Sequence, residues 1–437
     1  MKLFGTDGIR GLFNEEPLTK DTIEKIGSVL SNFKPELKFL IGKDTRQSCD
    51  FIEKHLIQGL SKGRCKVYTA GILPTPAVSA LTKMLKIDYG IMITASHNPY
   101  EFNGIKIFDK NGEKISPVLE QFIERNVAKN CSLNKKNNPK VYSMKNAVNS
   151  YIGYINHLFK NLNLENVNLV VDCANGTTSV LVKNVFEQFN ANVRVYNYRF
   201  NGKNINLKCG SLYPEKIKQF AKDGSIGFSY DGDGDRLIAC DEESNIIDGD
   251  MITYVCAMWL KKHNVLNHNT IVTTILSNTG LEVALKKIGV KVIRTCVGDK
   301  NVYNIMKQFN YSFGSEPAGH ILFKKFGPVS DAILTSLLLL KIMKYENKSL
   351  NELTKNVKLF PQVNLNVCVK EKKDLGSIKP LTKAIKEFNS LLKNKGRVLV
   401  RYSGTEPKLR IMVEYKSIRL AQSVAEKIKS IAESNLA

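Results

Sequence analysis

Short apolar runs rich in β-branched residues alternate with segments whose apolar positions recur every three or four residues, almost from one end of the chain to the other. In the first third the pattern predicts helices over 19–33, 48–62 and 75–86, the last entered through Pro74 and Pro76, and strands at 37–42, 65–68 and 91–94. A second stretch opens with a helix over 151–160. It continues through a strand at 167–172, a glycine turn at Asn175-Gly176, a helix over 179–189, and strands at 193–196, 226–230 and 237–240. A third runs from a helix over 251–262 through a strand at 270–276 and a helix over 280–288 to a leucine-rich helix near 332–343. The last, from Val363, reads strand, helix (378–393), strand (398–401), turn, strand (409–414), helix (417–434), and is smaller and more hairpin-like. Strand and helix in alternation imply parallel sheet under helical cover, an α/β protein. No internal repeat is visible in the residues themselves.

Five irregular stretches interrupt this rhythm. Thr94-Ala95-Ser96-His97-Asn98-Pro99 leaves a buried strand, and Asn98-Pro99 cannot continue it, so Ser96 sits on a turn at a strand's end with a loop over 100–104 beyond. Open α/β sheets bind ligands at such turns, although a serine there can equally do no more than hydrogen-bond its own turn. Asp231-Gly232-Asp233-Gly234-Asp235-Arg236 puts three carboxylates at alternate positions with glycines between them. Uncompensated they repel, so the loop is expected to wrap a divalent cation. A calcium loop of the EF-hand kind competes, with Glu242 at its twelfth position. Its sixth, however, is Arg236 where glycine is required, and the flanks read as strands. Oxygen-only ligands in a rigid turn suit Mg²⁺. Arg401-Tyr402-Ser403-Gly404-Thr405-Glu406-Pro407-Lys408, with Arg410 beyond, offers free backbone N–H groups, hydroxyls and cations to a phosphate. Glu316-Pro317-Ala318-Gly319-His320 combines a carboxylate, a tight backbone and an imidazole suited to reading sugar hydroxyls, though a lone histidine is more often structural. The opening, Phe4 to Gly11, has three glycines in eight residues and is expected to be a loop that makes Arg10 an anion-binding candidate.

The chain's 437 residues suggest three or four domains, and 43% hydrophobic with 24% charged residues are ordinary globular values. The N-terminal residues lack the apolar core of a signal peptide, and the longest apolar run, near 337–340, stops at Lys341; a cytoplasmic protein without membrane contact is expected. Nine scattered cysteines with no C-x-x-C pair point to reduced thiols. A net charge of +23 fits anionic substrates, nucleic acid or an acidic membrane. The lysines are dispersed and not interleaved with aromatics, so no nucleic-acid partner is expected. A nucleophilic serine, a Mg²⁺ loop, a hydroxyl-reading turn and a phosphate clamp, each on a different quarter of the chain, are together the equipment for phosphoryl transfer on a phosphosugar.

With these residues in order along essentially its whole length, the sequence resembles the α-D-phosphohexomutases. Asn103-Gly104-Ile105-Lys106, Pro74 to Val78, and Asn201 to Asn206 with Cys209-Gly210-Ser211 add to the likeness, the last pointing to the bacterial phosphoglucosamine branch. The resemblance implies three mixed α/β domains around a central cleft plus a smaller C-terminal α+β domain, divided as 1–148, 149–250, 251–362 and 363–437. It implies that Ser96, carried as phosphoserine, phosphorylates glucosamine 6-phosphate to a 1,6-bisphosphate, which serves as intermediate and primer, and then recovers the other phosphoryl group as glucosamine 1-phosphate leaves. One Mg²⁺ would be held by Ser96, Asp231, Asp233 and Asp235. Arg10, Lys106 and His320 become candidates for proton transfer or for steadying the reacting oxygens, and Lys106 would need a lowered pKa to act as a base. Arg236, Lys300, Glu316, Arg401, Ser403, Gly404, Thr405 and Arg410 become substrate-binding candidates. A homodimer is compatible with this picture, and the partner expected is a small phosphosugar. Phosphomannomutase or phosphoglucomutase activity, and a non-catalytic phosphosugar-binding role, are the alternatives.

Several positions depart from the family pattern. Ser315 stands where glycine is usual before the glutamate, and Ala318 where serine is usual, a missing sugar contact worth on the order of 1 kcal/mol. Lys300 replaces an arginine, Tyr402 a proline and Ala332 a glycine.

Overall fold

The structure, a computed structural model, describes residues 2–5, 7–129, 139–392, 395–403 and 407–436. They form two compact units, one of residues 1–276 with 290–354 and one of residues 277–289 with 355–437. The chain is a multi-domain, mixed α/β protein, as its pattern of runs predicts.

Three sheets build the first unit. The largest has seven strands in the order Phe4–Gly5, Gly8–Leu12, Phe102–Asp109, Tyr89–Ile93, Leu37–Lys43, Cys65–Ile72, Lys140–Ser143. Its centre is parallel, and Phe102–Asp109 runs antiparallel to Tyr89–Ile93. The second has five strands, Ile246–Ile247, Leu237–Cys240, Ile226–Tyr230, Asn168–Asp172, Asn192–Tyr196. The third has four, Lys291–Thr295, Thr270–Thr274, Phe313–Ser315, Ile321–Phe323. Each sheet ends its parallel part at one strand and turns back through an antiparallel neighbour. The three turns are 94–101, Asp231–Arg236 and Glu316–His320. Thus a repeat invisible in the residues exists in the fold, because strand direction recurs while side chains do not.

Helices cover these sheets for local reasons. Thr19 caps Lys20–Asn32 by accepting from the Thr22 amide, and Ile23, Ile26 and Leu30 form the buried face. This helix meets Cys49–Leu60 at glycines: a Cβ on Gly27 would lie 2.5 Å from the Leu56 carbonyl oxygen, and one on Gly59 2.2 Å from that of Glu24. Asp331 caps Ala332–Glu346, accepting from the Leu334 amide at 3.0 Å.

Two expectations change. The opening segment is not a loop, since Phe4–Gly5 and Gly8–Leu12 pair antiparallel and the latter also pairs with Phe102–Asp109. Gly8, at φ +81°, makes the turn possible, and a Cβ there would lie 2.6 Å from the Ile105 carbonyl oxygen. The helix expected over 179–189 is a 3-10 turn, Thr177–Val180, followed by a short α-helix, Val182–Glu187, with the break at Leu181 (φ −142°). Residues 130–138 lie outside the described residues.

The second unit has an antiparallel sheet in the order Gln362–Cys368, Lys408–Tyr415, Gly396–Tyr402, with the helices Lys379–Leu391 and Ile418–Leu436. Leu381, Leu409, Ile411, Val424 and Ile428 are in its core. The helix Thr279–Lys287 belongs here too: the Thr279 amide donates to Glu414 at 2.7 Å, and Gly280 sits against the backbone at Lys358.

Candidate active site

The turn after Tyr89–Ile93 holds Ser96 in the left-handed region at φ +52°, a conformation disfavoured by about 1–2 kcal/mol for a residue with a Cβ. Its surroundings hold it there. The Ser96 amide donates to Thr94 Oγ1 at 2.8 Å, while Arg46 and Asn206 donate to the Ser96 carbonyl at 3.2 and 2.9 Å and to that of Asn98. Arg46 is itself held by Asp44. The Ser96 hydroxyl, buried, donates to Asp231 Oδ2 at 2.8 Å.

Asp231, Asp233 and Asp235 are all buried, and one oxygen from each lies within 4.8 Å of the others. Burial, then Asp235 and Asp233, push the Asp231 carboxyl well up. Asp231 Oδ1 accepts from the amides of Asp235 and Arg236, and Asp233 Oδ2 from Thr75 Oγ1 at 2.5 Å. Asp233 Oδ1 is buried with no hydrogen-bond partner. An orphaned carboxylate oxygen among three clustered carboxylates fits a divalent cation.

Lys106 points into this cluster. Its buried ammonium is 2.9 Å from Asp233, 3.1 Å from Asp235 and 3.1 Å from Asp7. Burial lowers its pKa, but Asp233, Asp235 and Asp7 outweigh it and hold the group well above the usual lysine range. The lowered pKa that a lysine base needs is therefore not what this arrangement produces. Asp7 is the hub of the cations, binding Arg10 at 2.9 Å and Lys114 at 2.6 Å besides Lys106, and Arg10 Nη1 also donates to Asn98 Oδ1. Burial raises the Asp7 pKa, but Lys106, Lys114 and Arg10 outweigh it and hold the carboxyl well below the ordinary value.

The third turn closes on the second. Arg236 bridges backbone to backbone with His320, and a Cβ on Gly319 (φ +99°) would lie 2.5 Å from the Leu237 carbonyl oxygen. His320 Nδ1 is 2.9 Å from Glu316 Oε2, and its Nε2 points between Asp235 Oδ1 at 3.1 Å and the Arg236 guanidinium at 2.9 Å. Burial and Arg236 oppose protonation, Asp235 and Glu316 favour it, and the pKa is carried up to about 10. Glu316 Oε1 accepts from the Gly298 amide at 2.9 Å. Ser315 does not replace the hydroxyl missing at Ala318, because its Oγ lies 2.7 Å from Thr253 Oγ1 inside the unit. Lys300 directs its ammonium to Glu120 at 2.6 Å.

In the second unit Arg401 and Arg410 stand directly opposite each other on paired strands, a like-charge pair that an anion would relieve. Burial and Arg410 both lower the Arg401 pKa. The Ser403 amide donates to the Lys408 carbonyl, and Lys372 to that of Ser403. Gly404 and Thr405 lie outside the described residues.

Ser96, Arg10, Lys106, Asp231, Asp233, Asp235, Arg236, Glu316 and His320 are thus brought together in the first unit. Sequence reasoning missed Asp7, Thr75, Lys114 and Asn206, and gave His97 no role. His97 Nδ1 is 3.3 Å from the Ser96 hydroxyl; burial, then Arg236, Arg10 and His320, push its pKa down to about 2. Thr75 and Asn206 lay inside stretches that carried the resemblance, and Asp7 sits three residues before Arg10. Nothing local marks Lys114.

Family models of phosphoglucomutase/phosphomannomutase match in order: α/β/α domain I at residues 1–133, domain II at 149–245, domain III at 248–360 and the C-terminal domain at 365–431. The chain belongs to this phosphohexomutase family. Relatives named phosphoglucosamine mutase include one from Caldicellulosiruptor bescii, 41% identical over 100% of this chain and 99% of its own, and one from Caldanaerobacter subterraneus subsp. tengcongensis, 40% identical with the same coverage. Among solved structures, this phosphohexomutase is similar to a phosphoglucomutase/phosphomannomutase family protein from Burkholderia thailandensis (TM-score 0.82, 20% identity, 98% and 97% of the two chains). An Aspergillus fumigatus N-acetylphosphoglucosamine mutase in complex with GlcNAc-6P and magnesium shares the fold (TM-score 0.69, 16% identity, 100% and 96%). Among the described residues no helix is long and apolar enough to cross a membrane.

Proposed function

We propose that this protein is a phosphoglucosamine mutase that interconverts glucosamine 6-phosphate and glucosamine 1-phosphate for amino-sugar nucleotide and cell-wall precursor synthesis. The observation that carries the mechanism is the Ser96 hydroxyl at 2.8 Å from Asp231, on a strained turn facing three buried carboxylates.

Ser96, as phosphoserine, transfers its phosphoryl group to the O1 hydroxyl of the 6-phosphate. A P–O bond to the sugar forms as the bond to Ser96 Oγ breaks, and the O1 proton passes to a neighbouring base. The resulting 1,6-bisphosphate turns over and returns its C6 phosphoryl group to Ser96. Asp231, Asp233 and Asp235, with an oxygen of the phosphoserine, would hold Mg²⁺, which would supply neutralising charge for the transferring phosphoryl group. Arg10 and Lys106 steady the reacting oxygens. His320 serves as the proton-transfer candidate, since its ring lies between the Asp235 and Glu316 carboxylates. Glu316, with both oxygens already oriented by Gly298 and His320, keeps lone pairs for ring hydroxyls. Arg401, Ser403, Gly404, Thr405 and Arg410 are the candidates for holding a phosphate, a role the opposed arginines support. The cytoplasm and a homodimer complete the reading.

The test is conversion of glucosamine 6-phosphate, mannose 6-phosphate and glucose 6-phosphate by purified protein with Mg²⁺ and a bisphosphate primer, beside Ser96→Ala. Preferred turnover of the amino sugar, lost in the variant, is expected. Preferred turnover of mannose or glucose 6-phosphate would reassign the substrate, and phosphosugar binding without turnover would point to a binding role.

A further inference from the structure

The helix Asp299–Gln308 of the third sheet's layer is fastened to the first sheet's layer by charged contacts. Lys307 reaches Glu113 at 2.5 Å, Tyr303 reaches the same carboxylate at 3.1 Å, and Lys300 reaches Glu120. One contact differs from these in depth and in what it touches. Lys114 places its ammonium 2.7 and 2.8 Å from the two oxygens of Asp299 and 2.6 Å from Asp7, with side-chain exposures of only 12% for Lys114 and 5% for Asp299.

Asp7 continues to Lys106, and Lys106 to Asp233 and Asp235. On the other side, Asp299 Oδ1 accepts from the Lys300 amide, and the preceding residue, Gly298, donates its amide to Glu316. Glu316 meets His320, and His320 meets Asp235. The contacts therefore close into a ring that contains the carboxylate cluster at one end and the Glu316 loop at the other, with Lys114 linking Asp7 to Asp299 within it. Gly298 sits at φ +121°, so the backbone that aims its amide at Glu316 is one that needs holding.

We propose that Lys114 is a positioning residue for the sugar. By bridging Asp7 and Asp299 it fixes the N-terminus of the helix Asp299–Gln308, and through the Gly298 amide the Glu316 carboxylate, at a set distance from the phosphoryl-transfer centre. It touches neither the reacting serine nor the three aspartates. The inference rests on the phosphoglucosamine mutase reading for the choice of sugar only. Losing the bridge loosens ground-state recognition of the sugar, so KM rises while kcat changes little.

Lys114→Met, which keeps length and removes charge, and Asp299→Asn, which leaves Lys114 its Asp7 partner, are compared with the double variant. Binding of glucosamine 6-phosphate is measured by calorimetry in a Ser96→Ala background, and KM and kcat in the active enzyme. Each single variant is expected to weaken binding and raise KM by about tenfold, with kcat within about threefold and the Mg²⁺ dependence unchanged. The double variant should be no worse than Lys114→Met alone, since both cut one link. Unchanged binding, additive losses, or a shift in Mg²⁺ dependence alongside KM would each overturn the proposal. Because binding is read without turnover, a wild-type protein inactive on all three sugar phosphates, but with binding weakened by Lys114→Met, would overturn the mutase reading and leave the positioning role standing.

Discussion

Ser96 and Asp231 are 135 positions apart in the chain and share a hydrogen bond of 2.8 Å, made from a serine held at φ +52°. The strain and the contact belong together: the left-handed turn is what aims the hydroxyl at the carboxylate cluster.

That strain separates two inactive variants. Ser96→Ala and Ser96→Gly should both lose mutase turnover, but the glycine variant should be more stable by about 0.5–1 kcal/mol, the relief at positive φ partly offset by the freer unfolded chain. Denaturant unfolding of the two checks this, and an alanine variant as stable as the glycine variant would count against the strain.

The orphaned Asp233 oxygen makes a metal prediction. The unfolding midpoint of the wild type should climb with Mg²⁺, by a free energy of about 2.7 kcal/mol at a hundredfold excess over Kd, and the midpoint of Asp233→Ala should stay flat. A wild-type midpoint indifferent to Mg²⁺ would sink the assignment of the trio.

Asp331 offers a pH test away from that cluster. Burial pushes its carboxyl up to about 6, against hydrogen bonds from Leu334 and Tyr151 that pull it down. The folded pKa exceeds the unfolded one, so between about pH 4 and 6 the unfolded chain releases a proton that the folded chain keeps. Stability contributed by the neutral acid is full below pH 4 and declines by roughly 3 kcal/mol as pH rises through 6. Asp331→Asn should remove that decline from stability measured across the range; an unchanged slope would rule the group out as its source.

Ala318 is exposed on the turn that carries Glu316. Ala318→Ser should restore a hydroxyl to the sugar and raise kcat/KM for glucosamine 6-phosphate several-fold, in line with a hydrogen bond of about 1 kcal/mol. No gain, or a gain on glucose 6-phosphate instead, would show that this turn does not read the amino sugar.

What the sequence determined by itself is local. The order of helices and strands, the turn that ends at Ser96, and the clustering of Asp231, Asp233 and Asp235 are all written within windows of a few residues, where apolar period and turn chemistry act directly. Its largest local error, a loop at Phe4 to Gly11, has the same origin: three glycines look like a loop until a neighbouring strand supplies partners for their backbone. Tertiary structure alone decided which distant groups meet. Lys114 and Asp299 are 185 positions apart and Lys106 and Asp233 127, and no periodicity links them. Only the docking of three sheets, each turning back at the same point, brings their loops together. It also commits the Lys300 ammonium to Glu120 and the Ser315 hydroxyl to Thr253. Burial then sets the charges: once water is gone, each carboxylate and ammonium takes its protonation from the neighbours the fold has chosen for it.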